Sequence, residues 1–253
     1  MKTMSKKNIF DNNNSLIGSW ITLAHPAIAE IMANAGFDWL AIDLEHSVIT
    51  IREAEELIRI IELSGVIPLV RLTSNNRDLI KRVMDSGAHG IIVPMVNSSK
   101  EAEIAVQSIK YPPKGSRGVG LARAQKYGSG FETYKKWQKD GSIVIVQVEH
   151  IEAVNNLREI LSVPDIDGFI VGPYDLSGSM GIPGEFSNPK FINALNKIKK
   201  VAKEMNVYSG IHIIEPDKEQ LIKSIKDDYK FIAYSLDIRM LDYSCQSALK
   251  DIR

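Results

Sequence analysis

Eight short apolar runs, spread along the whole chain and separated by amphipathic stretches, constrain this sequence more than any other feature. They are LIGSWITL (16–23), FDWLAID (37–43), VIPLVRL (66–72), GIIVP (90–94), IVIVQVE (143–149), GFIVG (168–172), YSGIHII (208–214) and FIAYSL (231–236). Most are apolar throughout rather than alternating, the pattern of strands covered on both faces of a parallel sheet. Between them apolar positions recur with helical spacing. PAIAEIMANAG opens on Pro26 and closes on Gly36, TIREAEELIRIIELSG and RDLIKRVMDSG also stop at glycine, and a further stretch runs from Pro189 to Met205. Strands and helices alternating in 253 residues fit a single (β/α)8 TIM barrel over residues 16–253, preceded by a polar tail over 1–15. An open doubly wound sheet has the same alternation, and strand counting does not separate the two.

Charge and cysteine content narrow the partners. Lys plus Arg and Asp plus Glu each number 31, for a formal net charge of zero, so no basic surface argues for nucleic acid or an anionic membrane. A small molecule is the expected partner. The single cysteine, Cys245, makes no internal disulfide, and no Cys/His spacing suggests zinc. No apolar run approaches the roughly 18 residues of a membrane span. MKTMSKKNIFDNNNS has no hydrophobic signal core, and a cytoplasmic location is expected.

A β/α barrel assembles its active site at the C-terminal ends of its strands. The second run ends in Asp43, Glu45 and His46, the third in Arg71, the fifth in Gln147, Glu149 and His150, the sixth in Gly172, Pro173 and Asp175, and the seventh in His212 and Glu215. Asp237 and Arg239 follow the eighth. Glu149 and Asp175 are one β-α-β unit apart, which places them on neighbouring strands about 4.8 Å apart. Two carboxylates that close repel unless protonated or bridged by a cation, and all-oxygen ligands suit Mg²⁺ or Mn²⁺. The alternative is a structural pair in which Asp175 caps the helix starting near Leu176. A carboxylate such as Asp43 near His46 suits a general base; the alternative is a loop-capping histidine. Arg71 ends a buried strand and needs a partner, either a substrate carboxylate or an acidic residue across the barrel. No lysine at a strand end suits a Schiff base, and no Ser-His-Asp order or GxSxG motif is present. Residues 112–130, PPKGSRGVGLARAQKYGSG, are too long for an ordinary connection. They follow the fourth run and are expected on the active side of the barrel; their glycines resemble a phosphate loop only loosely.

Taken together, GSWITLAHPAIAEIMANAGFDWLAIDLEH, PLVRL, KYPPKGSRGVGLARAQKYG, VQVEH and GFIVGPYDLSGSMGIPG resemble the HpcH/HpaI family of metal-dependent pyruvate aldolases, within the phosphoenolpyruvate/pyruvate barrel superfamily. The matching stretches run in order from about residue 16, and the pairing of IDxEH with GPxDLSxSxG is specific. The resemblance implies a divalent cation, Mg²⁺ or Mn²⁺, on Glu149 and Asp175. It implies Arg71 on the pyruvate oxygens, His46 as acid/base oriented by Asp43, and Gln147 beside the ligands. The backbone through Gly172, Pro173, Tyr174 and Asp175 would hold the pyruvate carboxylate. Arg123 in the glycine-rich segment would border the site or reach a neighbouring subunit. A homo-hexamer is implied, built as a trimer of dimers with the last helix, roughly residues 238–251, exchanged between partners.

The reaction this implies is reversible cleavage of a 4-hydroxy-2-oxo acid to pyruvate and an aldehyde. Oxaloacetate decarboxylation through the same enolate is a second enzymatic reading, and CoA-ester cleavage a weaker third with no feature that demands it. An oxo-acid binding protein is the non-enzyme reading, and it has no need of a base. His150 stands where the family more often has a small hydroxyl residue, His212 where an apolar residue is expected, and SLDIRML departs from the usual exit of the eighth strand. These differences bear on the aldehyde side, where His212 would contact a polar acceptor or simply pack at the barrel mouth.

Overall fold

A computed structural model describes residues 14–250 and 252. Of the polar tail expected over 1–15, residues 1–13 lie outside the described residues. Parallel strands β1 (Leu16–Ile21), β2 (Trp39–Asp43), β3 (Ile67–Arg71), β4 (Gly90–Val93), β5 (Ile143–Val148), β6 (Gly168–Val171), β7 (Tyr208–Ile213) and β8 (Phe231–Leu236) close in chain order, β8 pairing back onto β1. The fold is a (β/α)8 barrel, and the open-sheet alternative falls. Helices α1 (Pro26–Ala33), α2 (Ile51–Leu63) and α3 (Arg77–Asp85) follow the first three strands, and α4 (Ser99–Ile109) and α5 (Phe131–Gly141) both lie between β4 and β5. They are followed by α6 (Ile151–Asn155), α7 (Leu157–Leu161), α8 (Pro173–Ser179), α9 (Pro189–Met205), α10 (Lys218–Lys226) and α11 (Asp237–Leu249). Local chemistry starts them as the sequence implies: Thr50 with Glu53 and Ser98 with Glu101 form capping boxes on α2 and α4.

The period-2 geometry of a strand sorts each apolar run into two cores. Ile21, Leu40, Ile42, Val70, Ile91, Val93, Val144, Val146 and Val171 point outward and pack under the helices. Trp20, Trp39, Ala41, Ile67, Leu69, Ile92, Ile143, Ile145, Ile170, Phe231 and Ala233 fill the barrel. Trp39 stacks on Phe231 with centroids 4.3 Å apart. Glycine at position 18 is what makes room for this pair, because a Cβ there would lie 2.0 Å from the Trp39 ring. The inward positions also fix the site. Counting two residues on from Ala41, Leu69 and Ile145 gives Asp43, Arg71 and Gln147, the next inward layer at the C-terminal mouth.

The glycine-rich stretch is not where the sequence reading placed it. Helix α4, 11 residues long, returns the chain about 16 Å along the barrel before residues 112–130 begin. They therefore lie at the N-terminal end, where Arg123 bonds the Ser86 carbonyl at the close of α3. Helix α11 buries only Asp237 and exposes Ile238, Leu241, Tyr243 and Leu249. Among the described residues no helix is long and apolar enough to cross a membrane.

Candidate active site

Asp43 and Arg71 are register partners on β2 and β3, and both are buried. Arg71 Nε donates to Asp43 Oδ1 at 2.8 Å and a terminal guanidinium nitrogen donates to Oδ2 at 2.6 Å, the two-pronged geometry that suits arginine to a carboxylate. The partner of Arg71 is thus the neighbouring strand and not an acid across the barrel. The guanidinium lies over the face of Trp20, 4.3 Å from its centroid, so an ion pair and a cation–π contact hold it from two sides.

Asp43 Oδ1 also accepts the backbone N–H groups of Glu45 (3.0 Å) and His46 (3.3 Å). This pins the bend after β2 but leaves the His46 imidazole to another neighbour. Asp43, expected to orient His46, bonds its backbone rather than its ring: the carboxylate oxygens meet Arg71 and the bend. The carboxylate beside the imidazole is Glu45, whose Oε2 lies 3.7 Å from His46 Nε2 and 3.5 Å from Arg71 Nη1. Burial pushes the Glu45 carboxyl up to about 7 against the pull of Arg71, with Glu149, Asp43 and Asp175 adding to the rise. Those influences also place the five acidic and basic groups in one electrostatic neighbourhood.

Glu149 follows β5 and is buried. Its Oε1 accepts the Met95 amide at 2.6 Å, and its Oε2 accepts from Gln147 Nε2 in a short contact. Gly172, one step past β6, lies so close that a Cβ would sit 3.1 Å from Glu149 Oε2; a side chain there would crowd the carboxylate. Burial raises the Glu149 pKa, the bonds from Gln147 and Met95 oppose this, and Asp175 in the first turn of α8 adds to the rise. A carboxylate whose proton affinity is raised by a second carboxylate nearby belongs to the kind of donor set a divalent cation relieves. Among the described residues no group of three or more His, Cys, Asp or Glu side chains converges on one point. Mg²⁺ takes one or two carboxylates and fills its octahedron with water and substrate. Glu149 and Asp175 fit such an ion.

With this geometry in place, residues 16–241 match the family described as HpcH/HpaI aldolase/citrate lyase. The chain belongs to that family. The hydroxypyruvate/pyruvate aldolase of Roseobacter denitrificans is 34% identical over 93% of this chain and 91% of its own length. The 2-dehydro-3,6-dideoxy-6-sulfogluconate aldolase of Pseudomonas putida is 32% identical over 89% and 88%. An HpcH/HpaI aldolase/citrate lyase family protein from Burkholderia cenocepacia superposes with a TM-score of 0.92 at 30% identity, covering 98% of each chain. The protein is an aldolase, a lyase, and the HpcH/HpaI family is metal-dependent.

The remaining HpcH/HpaI positions divide sharply. His212 is at the mouth, edge-on to Trp20 with centroids 5.6 Å apart. It donates to the Ser235 carbonyl, and burial beside Arg71 drives its pKa down to about 4, so the ring is neutral. Its Nε2 has no hydrogen-bond partner among the described residues. Pro173 starts α8, and Tyr174 is exposed with its ring edge-on to Phe186. His150 caps α6 through Nδ1, Asp237 ties down Thr22 and Leu23, and Glu215 pairs with Arg239, which accounts for these strand-end groups structurally. Arg123 is not brought to the mouth within its own chain. It pairs with Glu62 and the Ser86 carbonyl beside a cavity of about 340 Å³ that includes His89, Tyr127, Tyr134 and Trp137. The sequence alone left Glu45 without a role; its place beside His46 at the end of β2 was the available signal.

Proposed function

We propose that this aldolase reversibly cleaves a 4-hydroxy-2-oxo acid to pyruvate and an aldehyde through a pyruvate enolate. The observation that carries the reading is the placement of Arg71, locked by Asp43 and Trp20, in electrostatic reach of Glu149 and of the site that Glu149 makes with Asp175. A Mg²⁺ or Mn²⁺ ion held by Glu149 and Asp175 would supply Lewis acidity for the 2-oxo and carboxylate oxygens. Gln147, bonded to Glu149, keeps that ligand in place. Arg71 directs positive charge to the oxygen that becomes an enolate. The backbone through Gly172, Pro173, Tyr174 and Asp175 takes the substrate carboxylate. His46 accepts the proton of the 4-hydroxyl in cleavage and returns it in synthesis. The names of the relatives, a hydroxypyruvate/pyruvate aldolase and a sulfogluconate aldolase, support an oxo-acid donor and a small polar aldehyde. His212 Nε2 is a neutral acceptor available on that side.

The chain functions as a homo-oligomer in this reading, a hexamer built as a trimer of dimers. The apolar residues exposed along α11 suit a helix exchanged with a partner. The test of the function is pyruvate release from a panel of 4-hydroxy-2-oxo acids with Mg²⁺ or Mn²⁺, before and after EDTA. Metal-dependent release is the expected outcome; turnover undiminished in excess chelator overturns the metal's part, and no release from any member overturns the reaction.

A further inference from the structure

Glu45 neither holds Arg71 in a hydrogen bond nor belongs to the metal pair. Its Oε2 is buried and has no hydrogen-bond partner among the described residues. It is nevertheless flanked by two N–H-bearing groups, Arg71 Nη1 at 3.5 Å and His46 Nε2 at 3.7 Å, both just beyond hydrogen-bond length. A buried carboxylate oxygen left unpaired is costly, and these two donors are the nearest to it. Arg71 is fixed by two bonds to Asp43 and by Trp20. The His46 side chain is 63% exposed, while its backbone is pinned by Asp43. Of the two donors, the imidazole is the one not already bonded to Asp43.

We propose that Glu45 is the positioning residue for His46: its carboxylate takes the Nε2–H, fixing the tautomer so that Nδ1 carries the lone pair that receives the substrate proton. The inference rests on the reading of His46 as the base. In cleavage the 4-hydroxyl proton passes to Nδ1, and the O–H electrons become the aldehyde π bond. The C3–C4 electrons pass to the enolate, and the imidazolium so formed keeps its second proton on Nε2 against Glu45. Synthesis reverses each transfer. The same carboxylate faces Arg71, so one residue keeps base and oxyanion-stabilising arginine in a fixed relation.

The test pairs Glu45→Ala and Glu45→Gln with ¹⁵N-histidine labelling, His46 being assigned by its loss in His46→Ala. In the wild type His46 is expected as the Nε2–H tautomer. Glu45→Ala should lose that preference and lower kcat by about 10- to 100-fold with KM unchanged, and Glu45→Gln, which keeps an acceptor oxygen but no charge, should fall between. Mn²⁺ binding, followed by electron paramagnetic resonance, should be retained in both and reports that the site is folded. A Glu45→Ala enzyme with wild-type kcat, an unaltered His46 tautomer, or a raised KM at constant kcat would overturn the assignment. If the wild-type enzyme cleaves no 4-hydroxy-2-oxo acid, the functional reading fails, while the tautomer measurement still judges Glu45.

Discussion

Asp43 and Arg71 grip each other through two hydrogen bonds of 2.8 and 2.6 Å across adjacent strands, and this pair sets the geometry of the mouth. Truncating one partner of a buried pair strands the other charge, which costs about 3–5 kcal/mol. Asp43→Ala should show a stability loss of that order in urea unfolding. Arg71→Lys keeps the charge but loses the fork and the stacking on Trp20. Its kcat/KM should drop about 10²- to 10³-fold, with the fold intact by circular dichroism.

His46→Ala separates the two enzymatic readings. Aldol cleavage needs a base for the 4-hydroxyl, and loss of such a base costs about 10²- to 10⁴-fold. Oxaloacetate loses CO₂ to give the same enolate with no hydroxyl proton to remove. The variant should therefore lose pyruvate release from hydroxy-oxo acids and keep any oxaloacetate decarboxylation. Loss of both in equal measure, or of neither, removes His46 from the role.

His212 gives the fold a pH dependence whose sign is set by its lowered pKa. The unfolded chain takes up the proton near pH 6.5 and the folded chain only near 4. Stability from this group is therefore full above about pH 6.5 and is lost as pH falls from there toward 4, by about 3 kcal/mol at most. His212→Phe fills similar space without titrating. Urea midpoints of the variant should be flatter than those of the wild type across that window, and an identical slope would remove His212 as the cause.

The barrel was legible because each of the eight apolar runs is bounded by turn residues and followed by a helical period, and all eight lie where strands form. The layer at the mouth was legible for the same reason, since Asp43, Arg71, Gln147 and Gly172 share the inward parity of their strands. Two things were not. Arg123 looked close to the site along the chain, but α4 intervenes and carries residues 112–130 to the far end. Asp43 looked like the partner of His46 because they are three residues apart, yet Arg71 is its register partner on the next strand, and a two-pronged ion pair outcompetes a contact to an exposed ring. Sequence proximity carries no information about register, so the pairing of Asp43 with Arg71 emerged only in three dimensions.

Enolisation of pyruvate itself can be followed by loss of the methyl proton signal in D₂O. The purified enzyme with Mg²⁺ or Mn²⁺ should exchange the C3 protons of pyruvate with no aldehyde present, and exchange should stop with EDTA and fall sharply in Arg71→Lys and in Glu149→Gln. Exchange that persists in chelator and in both variants, or its complete absence from the metal-loaded wild type, would contradict an enolate formed by Arg71 and the Glu149–Asp175 site.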